Sequence, residues 1–223
     1  MTNGTLLIRL QGLMQSWDTQ KTFRDKGSGS YPSKSGVCGL IMSSMGVTSR
    51  RINDENREVI KSIFSLSMGV RIDNRGKILK DFHTASGFIT LDGSTKDNPE
   101  ISNRYYLNDA NFLVALNGDI KLLAKINEKL KHPIFHQFLG RKCCVPSSYI
   151  WIPDGLKTGV SIEEALKNEP YLKNKQTKKI KLVLESDGSE LVIFTLYDNP
   201  VLEDDRVIYS SRKITEKYYT IGE

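Results

Sequence analysis

Tyr31-Pro-Ser-Lys-Ser-Gly-Val-Cys-Gly-Leu-Ile-Met-Ser-Ser-Met-Gly-Val47 predicts a loop running into a short, almost uncharged helix around which the rest of the chain is arranged. Pro32 and the hydroxyls of Ser33 and Ser35 are start signals, and Gly46 is a stop. Val37, Leu40, Ile41 and Met45 recur at helical spacing and form one apolar face. Gly36, Cys38, Gly39, Ser43 and Ser44 keep the remaining surface small, which permits close approach of a sheet or a ligand. The start of the helix offers free backbone N–H groups, two hydroxyls and Lys34, a set that suits phosphate. The same residues also suit a core helix with ordinary caps.

Upstream, Thr5–Leu10 reads as a buried first strand, with Gln11–Trp17 as its exit loop. Trp17 fits either the core or a stacking surface for a base. Thr19–Ser30 is a polar loop carrying Lys21, Arg24 and Lys26. Downstream, Asn53 and Asp54 cap a helix over Glu55–Ile63. Phe64, Leu66, Met68, Val70 and Ile72 then alternate with Ser65, Ser67, Gly69, Arg71 and Asp73, which predicts a strand with one buried and one exposed face.

Asp73–Gly76 is a turn, and Lys77–His83 begins a returning strand. Residues 84–103 are polar and aperiodic, so they read as an extension projecting from the body. Ala110–Leu116 is a buried strand, and Gly118-Asp119 caps a helix to Lys131 with Leu123, Ile126 and Leu130 inward. Phe138–Ser147 reads as the last core strand, carrying Arg141 and Lys142. Ser161–Glu164 forms a capping box. Lys179–Glu185 and Leu191–Tyr197 pair as a hairpin about Asp187-Gly188, and Val207–Ser211 and Tyr218–Ile221 add edge strands. This order fits a split β-α-β sandwich of the α+β class, an arrangement that in many RNA-binding modules receives RNA on an open sheet face.

The net charge of +6 and pI of about 9.1 favour an acidic partner. Lys167, Lys173, Lys175, Lys178, Lys179 and Lys181 form a basic run that fits a solvated segment or a sequence-indifferent phosphate contact, and Glu203–Asp205 form an acidic patch. Cys38, Cys143 and Cys144 lack zinc-ligand spacing and read as reduced thiols of a cytoplasmic protein. No signal peptide or membrane span is expected. Walker, His-Glu-x-x-His and Gly-x-Ser-x-Gly motifs are absent from the sequence. A metal-free ribonuclease needs an acid and a base at the scissile phosphate, for which His83 with Tyr31, Lys34 or Tyr105 are the candidates. His83 equally fits a hydrogen-bonding residue at a strand end. Arg9, Arg24, Lys34, Arg104, Arg141 and Lys142 are expected to converge on one edge, where guanidinium groups fork onto phosphate or stack on bases.

Five motifs in register then resemble one family. They are Leu7–Leu10 with Gly12 and Met14-Gln15-Ser16-Trp17; Pro32–Val37 with Gly39-Leu40; Asp81–Thr84; Arg104–Leu107 with Asp109-Ala110; and Leu139–Lys142 with Cys144. A weaker match runs from Asp198-Asn199-Pro200 to Arg206. The chain resembles the Cas-five family of CRISPR-associated proteins (RAMP superfamily), and within it the type I-E Cascade branch. Asp18, Leu13 and Tyr105 depart from the family pattern, which has Gly, Pro and an acid there.

The resemblance implies a ferredoxin-like (RRM-like) palm over residues 1–150, a β-hairpin thumb inserted at 77–108, and a β-rich C-terminal extension over 151–223. It implies a non-catalytic subunit that holds the 5′ handle of a CRISPR RNA and caps the backbone filament. Its neighbours would be the backbone subunit and the large subunit, and it would meet target DNA through the assembled complex. The thumb would press on the guide–target duplex. A sister branch cuts RNA itself, so a metal-independent endoribonuclease acting on repeat RNA is the enzymatic alternative; a globular assembly protein with incidental charge is the third. Together with the residue-level reading, the resemblance implies phosphate contacts from Ser33, Lys34, Ser35 and Gly36, and added charge from Arg9, Arg24, Arg104, Arg141 and Lys142. Trp17, His83 and Tyr105 are candidate base contacts and Gln15 completes the RNA-binding set, with no catalytic residue, metal or cofactor.

Overall fold

The computed structural model describes residues 2–18, 25–49, 51–171, 179–186 and 194–220. In chain order the elements are β1 (Asn3–Gln11), β2 (Met14–Gln15), β3 (Asp25–Lys26), α1 (Lys34–Met45), α2 (Asp54–Phe64), β4 (Ser67–Asn74), β5 (Lys77–Ala85), β6 (Phe88–Ile89), β7 (Thr95–Lys96), β8 (Glu100–Asn108) and β9 (Asn111–Asp119). Then follow α3 (Ile120–Lys131), β10 (Trp151–Thr158), α4 (Ile162–Asn168), β11 (Lys179–Glu185), β12 (Phe194–Glu203) and β13 (Arg206–Thr220).

Local chemistry sets the helix limits. Ser33 accepts from the Gly36 N–H at the start of α1, and Gly46 ends it in a left-handed conformation at φ 72°. Asn53 and Asn56 form a reciprocal capping box for α2, and the Asp119 carboxylate accepts from two N–H groups of α3.

A seven-stranded sheet runs β10-β1-β9-β4-β11-β13-β12, with every neighbouring pair antiparallel. Leu6, Ile8 and Leu10 of β1, Phe112, Val114 and Leu116 of β9, and Met68 and Val70 of β4 face the main core, which also holds the inward residues of α1, α2 and α3. The opposite face is covered too. Leu7, Leu113, Ala115, Leu182 and Leu184 pack there against Ala165 and Leu166 of α4 in a second core. Gly69 lets α4 come close, because a Cβ there would overlap Ile162.

The single-exposed-face reading of Phe64–Asp73 is therefore corrected: Gly69 and Arg71 are buried, Arg71 completely. The sheet face that RNA-binding modules of this layout leave open is occupied here by α4. Three strand expectations also change. Residues 138–147 contain no strand, so Arg141 and Lys142 sit in a turn, and the last strand of the first half is β10. β11 pairs with β4 and β13 rather than with β12. The expected turn at Asp187-Gly188 lies outside the described residues. β13 is one 15-residue strand inside the sheet, not two edge strands: it pairs with β12 over Arg206–Ile214 and with β11 over Ile214–Thr220. The real hairpin is β12–β13, closed by Asp204 and Asp205 at φ 43° and 62°, the double positive φ of a type I′ turn.

The 84–103 extension proves to be the upper part of a long hairpin. β5 and β8 pair from Lys77↔Asn108 to Ala85↔Glu100, and β6–β7 form a small ladder beyond them. β2 and β3 pair along the other side of β8 and tie the hairpin base to the body.

Candidate nucleic-acid interface

The Met14–Trp17 motif builds the floor. The Gln15 amide donates to the carbonyls of Leu10 (3.0 Å) and Ala110 (2.8 Å), and its oxygen accepts from the Trp17 indole N–H at 2.9 Å. Gln15 and Trp17 are both buried. The Trp17 ring lies against Gly36, where a Cβ would stand 2.9 Å from Cε3. Both were expected in the RNA-binding set, Trp17 as a base contact; instead their side chains are enclosed and support the backbone of this segment.

The start of α1 is not an open phosphate site. The Lys34 backbone N–H donates to Asp198 at 2.8 Å, and Arg212 clasps the same carboxylate through Nε (2.6 Å) and Nη2 (2.9 Å). Glu185 pairs with Lys34 Nζ at 3.2 Å and with Arg212 Nη1 at 3.3 Å. Burial works against the Arg212 charge, but the hydrogen bonds and charge of Asp198 outweigh it and hold its pKa above the ordinary value. Lys34 is thus a buried partner of the C-terminal strands β11–β13, because the chain supplies its own anion.

Arg9 is likewise turned inward. It and Arg71 flank Leu113 across three neighbouring strands, on the face beneath α4. Arg71 is held by Asp73 (2.7 and 3.0 Å) and by the carbonyls of Leu166 and Glu169, both at 2.6 Å. Arg9 lies 3.7 Å from Asp73 and 3.6 Å from Glu169, and burial lowers its pKa despite those charges. Its expected place on the charged edge is corrected: it anchors the segment after α4.

What does converge lies at the hairpin base. Arg141 Nη2 donates to the carbonyls of Lys26 (2.9 Å) and Gly27 (3.2 Å), and its guanidinium stacks 5.0 Å from the Tyr106 ring centroid. Lys26 pairs with Arg104 across the β3–β8 ladder, and Arg104 and Tyr106 share one face of β8. Arg141 Nη1 and Arg104 Nε are buried donors without a hydrogen-bond partner. Beside Arg141 a notch of about 270 Å³ is lined by Ser16–Asp18, Ser33, Ser35, Gly36, Gly140 and Tyr209. Burial and then the Cys143 thiol raise the Tyr106 pKa, so this phenol stays protonated.

The remaining expected residues stand apart from the notch. Tyr105 faces the other side of β8, with Lys80 Nζ 6.0 Å from its ring centroid. His83 is exposed higher on the hairpin, opposite Ser102. Lys142 lines a separate groove with Phe135, His136 and Phe138. Arg24 lies outside the described residues. Lys26, Tyr106, Gly140 and Tyr209 were missed. Tyr106 belonged to a motif already in hand, but nothing local marks Tyr209 or Lys26 as neighbours of Arg141.

Comparison with known proteins agrees with this architecture. The family model described as CRISPR-associated protein (Cas_Cas5) matches residues 5–218. The CRISPR system Cascade subunit CasD of Escherichia coli (strain K12) is 29% identical over 156 residues, spanning 62% of this chain and 66% of that relative. A crystal structure of a Cas protein superposes with a TM-score of 0.73 at 33% identity, over 97% of this chain and 95% of that one. A chain of a CRISPR RNA-guided surveillance complex gives 0.74 at 28% identity, over 97% and 90%. With a family match that runs nearly end to end and a fold shared with solved members of CRISPR systems, this chain belongs to the Cas-five family of CRISPR-associated proteins.

Proposed function

We propose that this chain is a non-catalytic RNA-binding subunit of a type I-E CRISPR Cascade surveillance complex. It holds the 5′ handle of the CRISPR RNA, caps the backbone filament between the backbone and large subunits, and supports DNA interference. The strand order β10-β1-β9-β4, with α1 and α2 after β1 and α3 after β9, supports a ferredoxin-like palm; the β5–β8 hairpin is the thumb.

The observation that carries the proposal is the Arg104–Tyr106–Arg141 cluster. It combines spare guanidinium donors, an aromatic face and a small-residue notch at the thumb base. Phosphate takes the donors, and a splayed base has room against the backbone of Ser16–Asp18 and Ser35-Gly36. The endoribonuclease alternative gains no support from geometry. His83 and Tyr105 lie on opposite hairpin faces, and Lys34 is buried against Glu185.

The test is co-purification with the products of neighbouring genes, sequencing of bound RNA, and incubation of the pure protein with labelled repeat RNA with and without EDTA. A handle-bearing RNA bound and left intact is expected. A defined cut within the repeat by this chain alone would replace the proposal with the enzymatic one.

A further inference from the structure

The turn that presents Arg141 also carries a chemistry that RNA contact does not use. Cys143 and Cys144 are adjacent in sequence, and their Sγ atoms lie 4.0 Å apart. Cys143 is exposed, whereas Cys144 is buried. The Cys144 backbone closes the turn: its N–H donates to the Arg141 carbonyl at 2.8 Å, and its carbonyl accepts from the Leu139 N–H at 2.7 Å. The Cys143 thiol donates to the Tyr106 hydroxyl at 3.7 Å, and the Arg141 guanidinium stacks on that same ring. The sulfur pair and Arg141 therefore share one turn and one aromatic partner.

We infer that Cys143 and Cys144 are a reversible oxidation site, closed into a disulfide by a low-molecular-weight disulfide such as oxidised glutathione. The exposed Cys143 thiolate attacks one glutathione sulfur, the glutathione S–S bond breaks, and one glutathione leaves and takes up a proton. The Cys144 thiol then releases its proton, its sulfur attacks Cys143 Sγ, and the second glutathione leaves as the thiol. Two protein thiols are oxidised, and one glutathione disulfide is reduced to two thiols. Burial and the adjacent Cys143 sulfur push the Cys144 thiol up to about 12, which makes the second exchange the slow one.

Consecutive Cα atoms are about 3.8 Å apart, short of the roughly 4.4–6.8 Å that an ordinary bridge spans. Closure therefore strains the turn, and strained, accessible bridges are the readily reduced ones. Bringing the sulfurs from 4.0 Å to about 2 Å also draws Cys143 off the Tyr106 hydroxyl and pulls on the backbone that holds Arg141. On the reading that Arg141 holds RNA, oxidation loosens that grip.

The full-length protein is incubated for hours with oxidised glutathione, freed of it, and compared with a sample kept in dithiothreitol. In the oxidised sample the tryptic peptide Cys143–Lys157 is expected to be lighter by two hydrogens, and the thiols titratable after unfolding fall from three to one. Affinity for labelled repeat RNA is expected to fall about tenfold, the loss expected of Arg141→Ala. Dithiothreitol reverses each change. Cys143→Ser keeps the affinity of the reduced chain and loses its sensitivity to the oxidant, whereas Cys144→Ala stops at a glutathione adduct on Cys143. A native chain that keeps all its thiols, or that stops at the adduct, overturns the inference. Closure that leaves the RNA affinity unchanged overturns it too. Failure of the reduced chain to bind the RNA refutes the handle reading instead, and the peptide mass still decides the closure. If Cys144→Ala does not fold, Cys143→Ser and the native peptide mass carry the comparison.

Discussion

Asp198 accepts a 2.8 Å hydrogen bond from the backbone N–H of Lys34, across 164 residues of sequence. One carboxylate thereby caps the first turn of α1 and neutralises Arg212 on β13. Both side chains of this pair are almost fully buried. Asp198→Asn leaves the Arg212 charge without its main partner and is expected to destabilise the fold by about 3–5 kcal/mol. Urea unfolding measures the loss. A cost under about 1 kcal/mol would show that the cap is dispensable.

That pair marks how far the sequence could be read. Local features were legible: the Ser33 and Asn53 caps, the Gly46 stop and the inward face of α3 depend on residues within a turn of one another. The family motifs were legible as a set, but the roles of their residues were not. Gln15, Trp17, Arg9 and Lys34 have side chains that suit RNA, and all four are buried by elements far away in sequence. Lys34 meets Glu185, and Arg9 meets Glu169. An ordered amphipathic alternation on β4 hid a second covered face because α4 arrives nearly a hundred residues later, as the Arg71 hydrogen bond to Leu166 shows.

Arg141 and Arg9 separate binding from stability. Arg141 is half-buried, holds a loop and keeps one donor unpartnered, whereas Arg9 is enclosed with Asp73 and Glu169. Arg141→Ala is expected to weaken handle-RNA binding about tenfold, the effect of losing one charge-assisted hydrogen bond of roughly 1.5 kcal/mol. Arg9→Ala is expected to lower the unfolding midpoint and to leave the affinity of the folded fraction unchanged. Anisotropy titrations alongside thermal melts make the comparison. The reverse pattern would move the binding site beneath α4.

Gly140 adopts φ 96°, and a Cβ there would overlap the Ser16 carbonyl oxygen. Gly36 has an ordinary φ, but its Cβ would press on the Trp17 ring. Gly140→Ala therefore adds backbone strain to a clash with main chain, while Gly36→Ala meets side chains only, the Trp17 ring and Ser33 Oγ. The second is expected to cost about 1–3 kcal/mol, and the first more. Gly140→Ala also displaces Arg141, so RNA affinity falls with stability. Urea midpoints for the two variants check the order.

Alkaline pH should unfold the protein through its buried thiols. Burial pushes Cys38 and Cys144 from 9.0 up to about 12. The folded state keeps these protons where the unfolded chain releases them. Stability is then full below about pH 9 and is lost between about pH 9 and 12, at up to about 1.4 kcal/mol per pH unit for each group. Urea unfolding in reducing buffer across that range measures the slope, and Cys38→Ala is expected to flatten it. An equal slope in the variant would assign the loss to Cys144 and the buried tyrosines instead.

The hairpin should be removable without unfolding the body. Among its residues Ile78, Phe82, Ile89, Leu91 and Ile101 are exposed, so little of its apolar surface belongs to the core. The buried pair Tyr106 and Leu107 lies at the base, where β2 and β3 also attach to β8. Replacing 84–103 with a short Gly/Ser linker keeps the ladder from Lys77↔Asn108 to Asp81↔Arg104, the β2 pairing and the Lys26↔Arg104 pair of β3, and so keeps most of that base. The shortened chain is expected to melt within a few degrees of the native one, since the deleted contacts are local. Exposed Ile89, Leu91 and Ile101 leave with the replaced segment, and such exposed apolar side chains suit a surface covered only on assembly. Co-purification with the other subunits should therefore fall sharply although RNA contact at Arg141 remains. Full assembly and target binding by the shortened chain would show that the hairpin is not what joins this subunit to its neighbours.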